Sequence, residues 1–167
     1  WDYDDDRYLD ALKPLTDLKE EGKICHLGLT NFDTEQLRII TEHGVQIVSS
    51  QVQFSLVDRR PEITMIPFRQ EQGIQLLTYG TVCGGLLSEY YLGRREPGQW
   101  SFKTASQKKY KQMIDAWGGW KLFQELLGCL KLIADQHHVS IANVATRYIL
   151  DKPTVVGVIL GTRHYRL

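Results

Sequence analysis

The stretch CHLGLTNFDTEQL, residues 25–37, decides how this chain is read. Leu27, Leu29 and their neighbours have the character of a buried strand. The strand runs straight into Thr30 and Asn31, and DTEQL then opens a helix. Asp33 can cap that helix while Gln36 reaches back, a capping-box arrangement. A hydroxyl and an amide in this place have two possible uses. They help the chain turn, or they face a ligand at the carboxyl edge of a parallel sheet, where α/β folds bind their ligands.

Working outward, the same alternation repeats. Before the stretch, Leu12, Leu15 and Leu18 recur at helical spacing, with Gly22 as a stop. Pro14 is expected in a first turn, where proline is tolerated. KICHLGL is the first strand. VQIVSSQVQF is the second, followed by the helix-like RRPEITMIPFRQEQG, whose Pro67 should kink it or shift its boundary. IQLLTYG is the third strand. A long insertion over the sheet is expected from Thr81 to Gly119, partly helical around Gln107 to Trp117. Trp120, Phe123, Leu127, Leu130 and Ala134 then mark one helix face, Ser140 caps another helix, and VVGVIL is the fourth strand. Helices and strands in this order mean a parallel α/β sheet. It is either an open doubly wound sheet or part of an eight-stranded (β/α)8 TIM barrel, which needs about 250 residues.

The composition narrows the class. The chain has 167 residues, 43% of them apolar and 24% charged, as expected for one globular domain. A formal net charge of zero gives no broad footprint for nucleic acid or a membrane surface. No apolar run approaches the roughly 18 residues of a membrane span, and no signal peptide is visible. Cys25, Cys83 and Cys129 lie far apart without CxxC spacing, which argues against a disulfide framework or a zinc site and fits free thiols in a reducing compartment. The chain starts at Trp1 with the acidic DYDDD and stops soon after its last strand, and both ends read as a piece of something longer.

The carboxyl ends of the four strands gather a consistent chemistry. They hold Thr30 and Asn31, then Gln51, then Tyr79 and Gly80 with Gly84 and Gly85 behind, then Gly161, Thr162 and Arg163. Asn31 and Gln51 can donate and accept together, which suits a planar carboxamide. Tyr79 offers a flat face for a heteroaromatic ring. The glycines let backbone N–H groups approach a pyrophosphate, and Arg163 can form a forked contact with a phosphate. Each residue also has a plain structural use. Asn31 can serve a turn, Gln51 can satisfy buried backbone and Tyr79 can pack. GTVCGG does not match the strict dinucleotide fingerprint.

Five segments in order resemble the aldo-keto reductase family. They are WDYDDDRYLDAL, EEGKICHLGLTNFDTEQL, SSQVQFSLVDRRPE, LLTYGTVCGGLLSE and SIANVATRYILDKPTVVGVILGTR. The resemblance implies the carboxyl-terminal half of a TIM barrel, strands five to eight, that binds a nicotinamide dinucleotide, NADPH more readily than NADH. Thr30, Asn31 and Gln51 would hold the carboxamide, with Thr30 in place of the family's usual serine, and Tyr79 would stack on the nicotinamide. The loop from Gly80 to Leu86, through Val82 and Gly84, would pass under the pyrophosphate. Gly161, Thr162 and Arg163 would begin the adenosine phosphate site.

The family's catalytic Asp, Tyr, Lys and His normally precede the position where this sequence begins. His26, His43, His137, His138 and His164 match none of them, so no catalytic residue is assigned. His26 is expected to pack within its strand. The implied activity is reduction of a small-molecule aldehyde or ketone in the cytoplasm, with this chain supplying the cofactor side. The implied partner is an amino-terminal half-barrel, and the isolated chain is expected to be inactive. The competing reading is an inactive dinucleotide-binding or assembly module built on the same barrel.

Overall fold

A computed structural model describes residues 7–98, 102 and 104–161 of the chain. The acidic start, Trp100, Thr162, Arg163 and His164 lie outside the described residues. The elements are α1 (Arg7–Glu20), β1 (Leu27–Thr30), α2 (Thr34–Glu42), β2 (Ile47–Gln53), α3 (Arg60–Ile63), α4 (Met65–Gln72), β3 (Gln75–Tyr79), α5 (Ala105–Trp117), α6 (Gly119–Gln136), α7 (Ile141–Leu150) and β4 (Val155–Ile159). The strands form one sheet in the order β1-β2-β3-β4, and every pairing is parallel. Helices lie between consecutive strands, the connection that parallel neighbours require.

Local chemistry explains most boundaries. Asp33 accepts from the Gln36 backbone N–H at 2.8 Å, and the Gln36 side chain accepts from the Asp33 N–H at 3.1 Å, which completes the capping box. Ser140 caps α7 through the Asn143 N–H, and Thr104 caps α5 through the Gln107 N–H. Pro67 falls in the first turn of α4, where its missing N–H costs nothing. The expected single helix is accordingly split into α3 and α4 at Thr64. Pro14 departs from expectation: it lies in the middle of α1, not in its first turn. Of the four leucines on that helix, only Leu12 is buried.

Alternation along the strands sorts the sheet into two faces. Ser50, Val52, Leu76, Thr78 and Val155 share the side covered by helices, where Val52, Leu76 and Val155 pack with Ile66 of α4 and Ile149 of α7. A second core joins α1, α2 and the start of β1 through Leu12, Leu27, Leu37 and Ile40. A third gathers Leu86, Leu87, Ile114, Phe123 and Leu127 beneath α5 and α6. The opposite sheet face carries Thr30, Gln51, Leu77 and Gly157 in one register row, and Gln53, Tyr79 and Ile159 in the next.

Candidate functional site

The register brings the first three strand ends together. The Asn31 backbone N–H donates to the Gln51 carbonyl at 2.9 Å, and the Thr30 hydroxyl donates to that same oxygen at 3.4 Å. The Tyr79 phenol donates to Asn31 Oδ1 at 2.6 Å. Asn31 sits at φ 61°, in the left-handed region that asparagine tolerates better than most residues. The sharp turn out of β1 swings the Asn31 amide toward Tyr79. Gln51 is half-buried on the open face, and its side-chain amide makes no hydrogen bond among the described residues.

The loop after β3 is built by packing as well as by chemistry. Gly80 and Gly84 both have positive φ, 71° and 63°. A Cβ on Gly80 would lie 2.2 Å from the Tyr110 Oη of α5, and one on Gly84 would lie 3.1 Å from the same ring. Tyr110 thus leaves no room for a side chain at Gly80 and little at Gly84, whether or not a phosphate approaches. Gly85, at φ 90°, has open space around it. Several backbone donors of the loop are spent locally: Cys83 N–H on the Gly80 carbonyl, Gly85 N–H on Val82, and Leu86 N–H on Cys83. Leu86 is fully buried, so its side chain belongs to the core, while Val82 is half-buried. Gly161 is described and exposed, after the end of β4.

A cleft of about 830 Å³ opens beside these strand ends, lined by Asn31, Gln53, Arg60, Tyr79, Lys109 and Met113 among others. The Lys109 ammonium stands 5.6 Å from the centre of the Tyr79 ring and 5.5 Å from that of Tyr110. Deeper in, buried Asp58 accepts from Arg60 Nε and Nη2, both at 2.7 Å, and from Gln53 Nε2 at 2.6 Å. Burial alone would raise the Asp58 carboxyl, but the hydrogen bonds from Arg60 and Gln53 outweigh it and hold the group below the usual carboxylate range. Burial, reinforced by the neighbouring Cys83, Tyr79 and Asp58, pushes the Tyr110 phenol up to about 12.

Sequence reasoning missed Asp58, Arg60, Lys109 and Tyr110 as parts of this region. The helical spacing of Tyr110, Met113 and Ile114 carried a signal, since those residues form the face that α5 turns toward the loop. His26 also differs from expectation: it precedes β1 and is exposed. His43 ends α2, with its Nδ1 at 2.7 Å from the Ile39 carbonyl, and His137 ends α6. No group of three or more His, Cys, Asp or Glu residues among the described residues could hold a metal ion.

A four-stranded parallel sheet with covering helices on one face and a glycine loop beyond its carboxyl ends defines an α/β fold of the partial-barrel kind. The chain matches the family described as "Aldo/keto reductase family" over residues 1–166 and belongs to that family. It is 32% identical over 136 residues to "Flagellar radial spoke protein 5" of Chlamydomonas reinhardtii, covering 80% of this chain and 26% of that protein. It is 23% identical over 152 residues to "NADH-specific methylglyoxal reductase" of Escherichia coli (strain K12), covering 88% of this chain and 42% of that one. Among solved structures, the glycerol dehydrogenase AKR11B4 from Gluconobacter oxydans superposes with a TM-score of 0.72 at 24% identity, over 92% of this chain and 46% of that one. The fold is that of part of a TIM barrel, and the chain spans less than half the length of each of these proteins.

Proposed function

We propose that this chain is the cofactor-holding part of an oxidoreductase that reduces an aldehyde or ketone with a nicotinamide dinucleotide. The observation that carries the reading is the Gln51 amide, without a hydrogen bond among the described residues, beside Thr30, Asn31 and Tyr79 on the open sheet face. These residues fit the group: Gln51 supplies a donor and an acceptor to a carboxamide, and the Tyr79 ring is fixed in angle by its bond to Asn31. When bound, the nicotinamide supplies hydride to a carbonyl carbon. The chain's own residues orient that ring and hold its amide, which is positioning catalysis. Gly80, Val82 and Gly84 offer backbone to the pyrophosphate, while the Leu86 N–H is already spent on Cys83. Gly161 leads toward the adenosine phosphate, for which Thr162 and Arg163 are the proposed contacts. The cationic Arg163 favours NADPH, although the Escherichia coli relative is named for NADH. Three cysteines, all free, suit a reducing compartment such as the cytoplasm.

Titration of the polypeptide as its gene encodes it with NADPH and with NADH, followed by cofactor fluorescence, tests the reading. Gln51→Ala is expected to weaken binding about fivefold to tenfold, the worth of roughly one hydrogen bond. Absence of binding by both dinucleotides would overturn it. A second reading, an assembly module on the same barrel, is favoured by the likeness to a protein named for the flagellar radial spoke. Tight dinucleotide binding with no turnover of any carbonyl would select that reading.

A further inference from the structure

We propose that Arg60, with Lys109 lining the same cleft, recognises an anion there, and that the carbonyl substrate carries a carboxylate; this rests on the oxidoreductase reading. Arg60 is 77% exposed at its side chain, yet it is not loose. Its Nε and Nη2 edge is clamped onto Asp58, whose side chain is 2% exposed and is itself held by Gln53. A forked contact on one edge leaves the other edge of the planar guanidinium free to meet a second anion. The fork is thus oriented before any ligand arrives, which lowers the ordering cost of binding.

The other charges of the cleft sharpen the assignment. Arg38 pairs with Glu35 at 3.6 Å, and Asp33 is spent on its helix cap, so these do not compete for a ligand. Lys109 has no carboxylate within ion-pair reach among the described residues, and it stands over Tyr79. Arg60 and Lys109 line the cleft that also contains Asn31 and Tyr79, and Arg60 is the cation there held in a fixed orientation by a forked contact. A substrate whose carbonyl reaches the ring beside Tyr79 would place an acidic group toward them. Charged hydrogen bonds of this kind discriminate strongly, because the neutral analogue leaves the site's donors unpaired.

The test compares para-carboxybenzaldehyde with para-tolualdehyde, which are alike in shape and differ in charge, using the polypeptide as encoded. Arg60→Gln keeps a donor for Asp58, and Lys109→Met breaks no ion pair among the described residues, so each guards against simple misfolding of the other. The ratio of kcat/KM for the charged over the neutral aldehyde is expected to fall about tenfold in Arg60→Gln and by a smaller factor in Lys109→Met. Calorimetric titration with benzoate gives an answer independent of turnover: affinity should fall in both variants and with rising salt. If neither aldehyde is reduced, the oxidoreductase reading fails and the benzoate titration alone decides the anion site. Equal losses for both aldehydes, a change confined to the KM for NADPH, or unchanged benzoate affinity would each overturn the proposal.

Discussion

Arg69 of α4 is fully buried, and none of its three guanidinium nitrogens has a hydrogen-bond partner among the described residues. Lys111 shows the contrasting solution: its buried ammonium reaches Glu96 at 2.6 Å and Asp115 at 2.5 Å. Desolvation draws the Arg69 group down to about 10, so it still carries its proton at neutral pH and the fold bears the cost of an unpaired buried cation. Arg69→Met keeps most of the volume and removes the charge. It is expected to stabilise the protein by about 1–3 kcal/mol at neutral pH, measured by urea unfolding. The sign of the pH dependence follows. The folded-state pKa lies below the unfolded one, so the unfolded state binds more protons as pH rises above about 10, and the wild type gains on the variant from there upward. A variant less stable than wild type at pH 7 would mean that the guanidinium is satisfied after all.

At the scale of elements, α5 and the glycine loop are one unit. Tyr110 lies across Gly80 and Gly84 while its ring joins the core with Ile114, Leu86 and Leu87. Gly80→Ala adds a Cβ at a positive φ and against the phenol oxygen, and it should cost about 2–4 kcal/mol. In a Tyr110→Phe background the nearest oxygen is gone, and the same change should cost at least about 1 kcal/mol less in thermal unfolding. Additive effects would separate the loop from the helix. This contact also shows what a sequence can reveal. The capping box at Asp33 and the α7 cap at Ser140 depend on residues a few positions apart, and pattern carries them. Thr30, Asn31, Gln51 and Tyr79 were legible as strand ends, and parallel register alone brings them together. The Tyr110–Gly80 contact spans distant parts of the chain and leaves no local period. The glycines expected to approach a phosphate thus also lie against a ring. Asp58 and Arg60 were hidden for a different reason, since the charged text DRRPE looks the same whether its carboxylate is buried or solvated.

For the whole molecule the open question is the sheet itself. Among the described residues β1 pairs with β2 alone and β4 with β3 alone, and the face bearing Gly28, Gln75 and Ile159 is exposed. Barrels abolish such edges by closing, and a TIM barrel closes with about eight strands. The two edges are not equal hazards. β1 is only four residues long, and short edges resist pairing. β4 presents Val156, 58% exposed, with Ile159 and Leu160 exposed beside it. A groove of about 660 Å³ lined by Ile133, Val139, Leu150 and Leu160 extends that apolar surface across α6 and α7. The 167-residue chain prepared alone should therefore associate through the β4 side and reduce no carbonyl. Light scattering across a concentration series is expected to show growing mass, and Val156→Lys, which puts a charge on that edge, should suppress the growth. Supplying a polypeptide with a complementary four-stranded half-barrel should compete with self-association and restore cofactor-dependent turnover. A chain that stays monomeric at all concentrations, with or without the lysine, would show that β4 is already blunted and that closure by a partner is not what this surface is for.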